Sequence, residues 1–184
     1  MRYLFLFCCC CLLACESQTP PAEQAAVAVT PAPVSDALLM RLSTEMISDP
    51  QTLAERQRNE ILQYAMDRNL DLQPTASGLW YLITNPGETE KPRLAWGDRI
   101  DVDYTGRLLD GKVFDSTEGK DPLNFYIGNM IDGWNEGLQL LHPGASAEFI
   151  VPSHLAYGEA GIKTPKGRKL VPENAVLHFS VTVK

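Results

Sequence analysis

Residues 102 to 117 constrain the fold of this chain more than any other stretch. They read Val-Asp-Tyr-Thr-Gly-Arg-Leu-Leu-Asp-Gly-Lys-Val-Phe-Asp-Ser-Thr. Asp110-Gly111 between apolar-rich flanks is a strong hairpin signal, because that pair tolerates the positive φ angles of a type I′ turn. The two strands so joined bring Tyr104, Phe114 and Asp115 close together. Aromatic rings beside one carboxylate suit an apolar ligand that needs a single polar anchor.

Strand signals continue on both sides of the hairpin. Leu79, Tyr81 and Ile83 alternate before the turn at Asn85-Pro86-Gly87, and Ile100, Val102 and Tyr104 alternate after it. Ala145 to Val151 is a short apolar-rich run ended by Pro152. Leu177, Phe179, Val181 and Val183 give a period-2 final strand. Among them Trp134, Leu138 and Leu141 fall at i, i+4 and i+7, and His142-Pro143-Gly144 stops that helix. One short helix among antiparallel strands predicts an α+β domain over 77–184, with the helix covering one face of a curved sheet.

Upstream, residues 36–73 read as a small helical segment. Leu39, Leu42 and Met46 have helical spacing. Asp49-Pro50 offers an N-cap followed by proline at the first helical position. Leu53, Ile61, Tyr64 and Ala65 make an apolar stripe on that second helix, closed by Asn69 and Pro74. The stripe suits packing on the following domain or partner helix, or a homodimer interface through 36–72.

All five cysteines lie between Cys8 and Cys15. A disulfide framework or metal ribbon needs cysteines spread through the folded part, so neither is expected. Met1-Arg2 is a short basic start and Tyr3 to Leu13 is apolar throughout. That run is too short for a spanning helix, which needs about 20 residues, and it suits a signal-peptide core over 1–14. Leu12-Leu13-Ala14-Cys15 resembles the lipobox of bacterial lipoproteins. This implies lipidation at Cys15 and a membrane partner reached through the lipid anchor. Residues 15–35, rich in Pro, Ala, Gln, Thr and Ser, then read as a flexible tether. The expected place is the cell envelope. Glu16 after the cysteine favours the outer membrane facing the periplasm, by analogy with lipoprotein sorting. The net charge of −7 argues against a nucleic-acid partner, which needs a basic patch.

Further segments complete a pattern: Phe125-Tyr126-Ile127-Gly128, Met130-Ile131-Asp132-Gly133-Trp134, Val151-Pro152-Ser153-His154-Leu155-Ala156-Tyr157-Gly158, and Leu170 to Phe179. With the hairpin, in this order and spacing, they closely resemble the FKBP family of peptidyl-prolyl cis-trans isomerases from about Gly78 to Lys184. The resemblance implies a half-barrel sheet wrapped around one helix with an apolar pocket between them. It implies Trp134 as the pocket floor, with Tyr104, Phe114, Asp115 and Phe179 as walls. It gives Tyr157 a hydrogen bond to the bound peptide carbonyl and the Ile131 backbone N–H a second one. Met130 stands beside it and Val171 at the pocket edge. Tyr104, Asp115 and Tyr157 are thus the candidate catalytic residues. The implied partners are proline-containing polypeptides, and assistance to the folding of exported proteins is the implied role. The alternative is a non-catalytic FKBP-like module that holds peptides as a chaperone or assembly lipoprotein.

The chemistry agrees with that resemblance. Rotating an amide costs about 18–20 kcal/mol because it breaks C–N resonance, so X-Pro isomerisation takes about 10–100 s uncatalysed. Accelerating it requires no nucleophile, cofactor or metal, only an aromatic slot and groups that favour the twisted amide over either planar form. Taken singly, Tyr104, Phe114, Trp134 and Phe179 are ordinary core residues; as a set with Asp115 and Tyr157 they describe a pocket. Asp101 and Asp103 share a strand face directed to solvent, residues 110–121 do not fit a calcium loop, and His142, His154 and His178 are structural. Leu123 departs from the family, where an aromatic wall residue is common, and should widen the pocket. Lys163, Lys166, Arg168 and Lys169 make the 159–169 loop basic. That loop is either a solvated surface or a preference for clients with acidic residues near proline.

Overall fold

The protein is described from a computed structural model, which covers residues 35–184. The signal segment, Cys15 and all but the last residue of the tether lie outside the described residues. The two stretches of alternating strands meet in one antiparallel sheet. Its strands are β1 (Gln73–Pro74), β2 (Trp80–Asn85), β3 (Arg99–Leu108), β4 (Val113–Ser116), β5 (Leu123–Tyr126), β6 (Ser146–Val151) and β9 (Leu177–Val183). The order is β1-β2-β6-β9-β3-β4, and β5 pairs with β3 as well. β9 runs along β3 from Val102 to Leu108, so β4 and β5 share its other edge end to end. A separate hairpin joins β7 (Ile162–Lys163) and β8 (Lys169–Val171).

Period-2 alternation gives this sheet two buried faces. Leu79, Val102, Phe149, Val151, Leu177, Phe179 and Val181 point to one side and pack on Trp134 and Leu138 of α3 (Asp132–Leu138). The helix lies close to β6 because two of its residues are glycine. A Cβ on Gly133 would fall 2.5 Å from Val151, and one on Gly137 2.8 Å from Phe149. Trp80, Ile150 and Val176 point the other way. They are covered by Leu42 of α1 (Asp36–Thr44) and by Ile61, Leu62, Tyr64 and Ala65 of α2 (Leu53–Arg68). Fully burying one large apolar side chain contributes about 1.5–3 kcal/mol. Several such residues on α2 therefore make the helical segment part of the same folded unit.

The stripe expected on α2 is accordingly buried within the chain, so a dimer could not use Ile61, Tyr64 or Ala65. Its first member, Leu53, stays 39 % exposed. Leu42 on α1 is buried, while Leu39 on the same helix and Met46 just beyond it are partly exposed.

Two local expectations change. α2 starts at Leu53 rather than after Asp49-Pro50. Thr52 is the N-cap: its side chain accepts from Glu55 N–H, and the Glu55 carboxylate accepts from the N–H groups of Thr52 and Gln51. This capping box satisfies more orphan donors than one aspartate can, which moves the start three residues on. Asn69 closes the helix in the left-handed conformation, φ 54°.

The hairpin turn also differs from type I′. Gly111 has φ +91°, whereas Asp110 is not at positive φ. Gly111 N–H donates to Leu108 C=O, and Leu108 N–H to Lys112 C=O. The apolar pair Leu108-Leu109 extends the loop beyond two residues, and such loops take a turn ending in a left-handed glycine. The register then slips between Gly106↔Asp115 and Arg107↔Val113, so Phe114 is the extra residue of a bulge.

Candidate active site

That bulge builds one wall of the site. Adjacent residues in a regular strand point to opposite faces, yet Phe114 and Asp115 both line a cavity of about 250 Å³. Its remaining lining is Tyr104, Leu123, Met130, Ile131, Trp134, Tyr157 and Phe179. β3 supplies Tyr104, β9 supplies Phe179 and β5 supplies Leu123. Gly106, opposite the bulge, leaves the space the rings occupy, since a Cβ there would fall 2.7 Å from Phe114 and 2.9 Å from Phe179.

Trp134 closes the cavity from the helix side and is 2 % exposed. Tyr104 and Phe179 meet it edge-on, with ring centroids 5.0 and 5.4 Å away. Phe114 meets Phe179 in the same way at 5.7 Å. Edge-to-face pairs of this kind contribute about 0.5–1.5 kcal/mol each beyond area burial, so the rings hold one another in place. Trp134 Nε1 is buried without a hydrogen-bond partner among the described residues.

The polar groups sit at the rim. Tyr104 donates its hydroxyl to Asp115 Oδ2 at 2.5 Å, and Asp115 Oδ1 accepts from Ser116 N–H at 2.9 Å. The backbone of Tyr104 is fixed by donation to Thr117 Oγ1 at 2.9 Å. Burial, followed by the bond to Asp115, pushes the Tyr104 hydroxyl far above the ordinary tyrosine range. Burial and then the Asp115 charge raise Tyr157 as well. Both therefore remain donors across the neutral range. The folded state favours the protonated phenol, so this stabilisation is complete below about pH 10 and lost as pH rises through the higher folded value. Tyrosinate absorbance is expected to show a late-titrating phase that Tyr104→Phe reduces. A wild-type minus Tyr104→Phe difference curve centred near pH 10 would contradict the geometry.

Ile131 precedes α3 and accepts from the N–H groups of Trp134 and Asn135. Its own N–H has no partner among the described residues. Asn135 sets this loop. Its Oδ1 accepts from Gly128 N–H at 2.9 Å and Met130 N–H at 3.2 Å, and its Nδ2 donates to Met130 C=O at 2.7 Å. The sequence reading missed Asn135. A polar residue beside Trp134 on a helix with apolar neighbours was the available signal.

Eight of the nine pocket residues read from the sequence thus line one cavity. Val171 does not. It pairs with Ile162 across the β7–β8 hairpin and is buried in the core. In the same hairpin Lys163 and Lys169 both pair with Glu173, at 3.6 and 2.8 Å. All four cations of the loop are exposed, and Lys166 and Arg168 make no ion pair among the described residues. His178 points away from α3 yet is only 8 % exposed, because α2 covers it. Its Nδ1 lies 2.7 Å from the Tyr64 hydroxyl, and its Nε2 meets Glu148. A larger hollow near Asp103, Glu118 and Lys120 has polar walls. No cluster of three His, Cys, Asp or Glu able to hold a metal occurs among the described residues.

A curved antiparallel sheet holding one short helix, with an aromatic cavity between them and hydroxyl, carboxylate and amide groups at its rim, defines a small α+β domain with a candidate ligand pocket. The family described as FKBP-type peptidyl-prolyl cis-trans isomerase matches residues 91–184, half of the chain, and the chain belongs to that family. The probable FKBP-type peptidyl-prolyl cis-trans isomerase FkpA of Neisseria meningitidis is 46 % identical over 111 residues, 60 % of this chain and 38 % of that protein. The outer membrane protein MIP of Legionella longbeachae is 46 % identical over 93 residues, 50 % of this chain and 39 % of that protein. The chain thus spans less than half the length of these two relatives. The solved structure of a peptidyl-prolyl cis-trans isomerase from Pseudomonas syringae superposes with a TM-score of 0.54 at 27 % identity, covering 84 % of this chain and 96 % of that one.

Proposed function

We propose that this chain is a peptidyl-prolyl cis-trans isomerase of the cell envelope that acts on proline-containing polypeptides and assists the folding of exported proteins. The observation that carries the reading is the convergence of Tyr104, Phe114, Trp134 and Phe179 on one cavity whose rim holds two hydroxyls, a carboxylate and the Ile131 N–H, which has no partner among the described residues. The proline ring enters over Trp134. The aromatic walls exclude water from the prolyl amide, and a twisted amide loses less from that exclusion than a planar, more polar one. Tyr157 donates to the peptide carbonyl and the Ile131 N–H holds the next one, while Asp115 keeps Tyr104 oriented. Leu123 and Met130 complete the apolar wall. A thousandfold acceleration requires only about 4 kcal/mol, which a few such contacts can supply.

The test is isomerisation of a proline tetrapeptide by the full chain. Turnover well above the uncatalysed rate is expected, and a rate equal to it would sink the reading. Membrane attachment is proposed to run through lipid on Cys15, supported by the sequence pattern around it and by the name of the Legionella relative. Growth with a palmitate analogue should label the wild type and not Cys15→Ala. An unlabelled wild type, or a labelled Cys15→Ala, would overturn it.

A further inference from the structure

Gln57 lies on the face of α2 turned to the domain, one turn from Ile61, and is 3 % exposed. Its position in the apolar stripe Leu53-Gln57-Ile61 suits an aliphatic residue, and a buried amide is costly unless its hydrogen bonds are made. All four are made. Oε1 accepts from the backbone N–H of Ser153 at 3.0 Å and from its hydroxyl at 3.1 Å. Nε2 donates to Ser153 Oγ at 3.0 Å and to Asn174 C=O at 2.7 Å.

Those two partners hold the segment that carries Tyr157. Ser153 opens the 3-10 turn Ser153–Leu155, whose N-cap is Pro152. Proline has no side-chain acceptor, so the first N–H of the turn depends on an acceptor from elsewhere. Gln57 supplies it from another element. The Ser153 carbonyl then accepts from Ala156 N–H at 3.0 Å and Gly158 N–H at 2.9 Å, on either side of Tyr157. Gly158 C=O in turn accepts from Asn174 N–H at 2.7 Å. Asn174 is one of two non-glycine residues at positive φ among the described residues, at 56°. Besides the local bond from Gly161 N–H to Tyr157 C=O, the two backbone anchors of the Tyr157-Gly158 unit therefore end on one side-chain amide of the accessory helix.

Resting on the isomerase reading above, we infer that Gln57 is a positioning residue for Tyr157, so that α2 contributes to turnover without touching the pocket. The other polar links of α2 to the sheet, from Tyr64 to His178 and Glu148 and from Arg68 to Leu109 C=O, do not reach this segment.

The test uses the full chain in four forms: wild type, Gln57→Leu, Tyr157→Phe and the double variant. Gln57→Leu is expected to lower kcat/KM for a proline tetrapeptide about fivefold, the size of a lost cap. In the Tyr157→Phe background the same change should cost less than about twofold, because the hydroxyl it positions is gone. Equal losses in both backgrounds, or no loss in either, would overturn the inference. Amide hydrogen exchange in 153–158 is the readout that does not depend on turnover. It should quicken in Gln57→Leu and stay unchanged in Tyr157→Phe, and unaltered exchange in Gln57→Leu would refute the link. If wild type shows no turnover, the isomerase reading fails while exchange still decides the structural link. Should Gln57→Leu not fold, Ser153→Ala removes one partner of the same amide and must show the same dependence on Tyr157.

Discussion

Replacing Asp115 by Ala is expected to lower kcat/KM for proline peptides about tenfold while leaving thermal stability nearly unchanged. Asp115 is exposed as a residue, so little packing is lost. Its Oδ2, however, is the acceptor for the half-buried Tyr104 hydroxyl. In the free protein that half-buried hydroxyl can turn to water, so the fold loses little, whereas with a peptide in the pocket it cannot, and about 1.4 kcal/mol on the barrier is tenfold in rate. Asp115→Asn keeps an acceptor oxygen for Tyr104 and should recover most of the loss. If Asn behaves like Ala, the charge rather than the hydrogen bond is what matters. If Ala behaves like wild type, Asp115 has no part in the chemistry. Steady-state isomerisation kinetics with a melting curve for each variant separate these outcomes.

Trp134→Ala is expected to have the largest effect on stability. Trp134 is buried at the join between α3 and the sheet, in contact with Tyr104, Phe125 and Phe179. Truncating a buried Trp to Ala costs about 3–5 kcal/mol, a large share of the roughly 5–15 kcal/mol that holds a domain folded. The melting temperature should fall by about 10 °C or more. Trp134→Phe should cost much less, because the indole N–H makes no hydrogen bond among the described residues that the change would break. Denaturant unfolding monitored by far-ultraviolet dichroism measures both. A loss of less than about 1 kcal/mol in Trp134→Ala would contradict the described packing.

Much of this architecture was legible along the chain. The alternation of Leu177, Phe179, Val181 and Val183 marks a strand because a pleat shows every second side chain to one core. Trp134, Leu138 and Leu141 mark a helix because their spacing closes a stripe. The start of α2 is ambiguous along the chain because Asp49-Pro50 and Thr52-x-x-Glu55 are both valid helix starts, and only the latter satisfies several donors at once. The hairpin was legible as a hairpin, but the bulge at Phe114 was not. Strict alternation would separate Phe114 and Asp115 onto opposite faces. The register slip that reunites them depends on how β3 and β4 pair, and on the empty space above Gly106.

His178 and Gln57 show the same limit from another direction. Periodicity assigns each to a face but says nothing of what covers that face. Gln57 meets Ser153 across 96 positions of chain, and no local pattern announces a hydrogen bond of that span. By itself the sequence determined which residues alternate, where the short helix lies, and that Tyr104, Phe114, Asp115, Trp134, Tyr157 and Phe179 belong together. Those features rest on periods of 2 and 3.6 and on a motif order that survives without coordinates. Only the tertiary structure decided that the helical segment is docked rather than free, that Val171 is core rather than rim, and that an amide on α2 holds the turn before Tyr157. These depend on closure of long loops and on the satisfaction of buried donors, which exist only once distant segments meet.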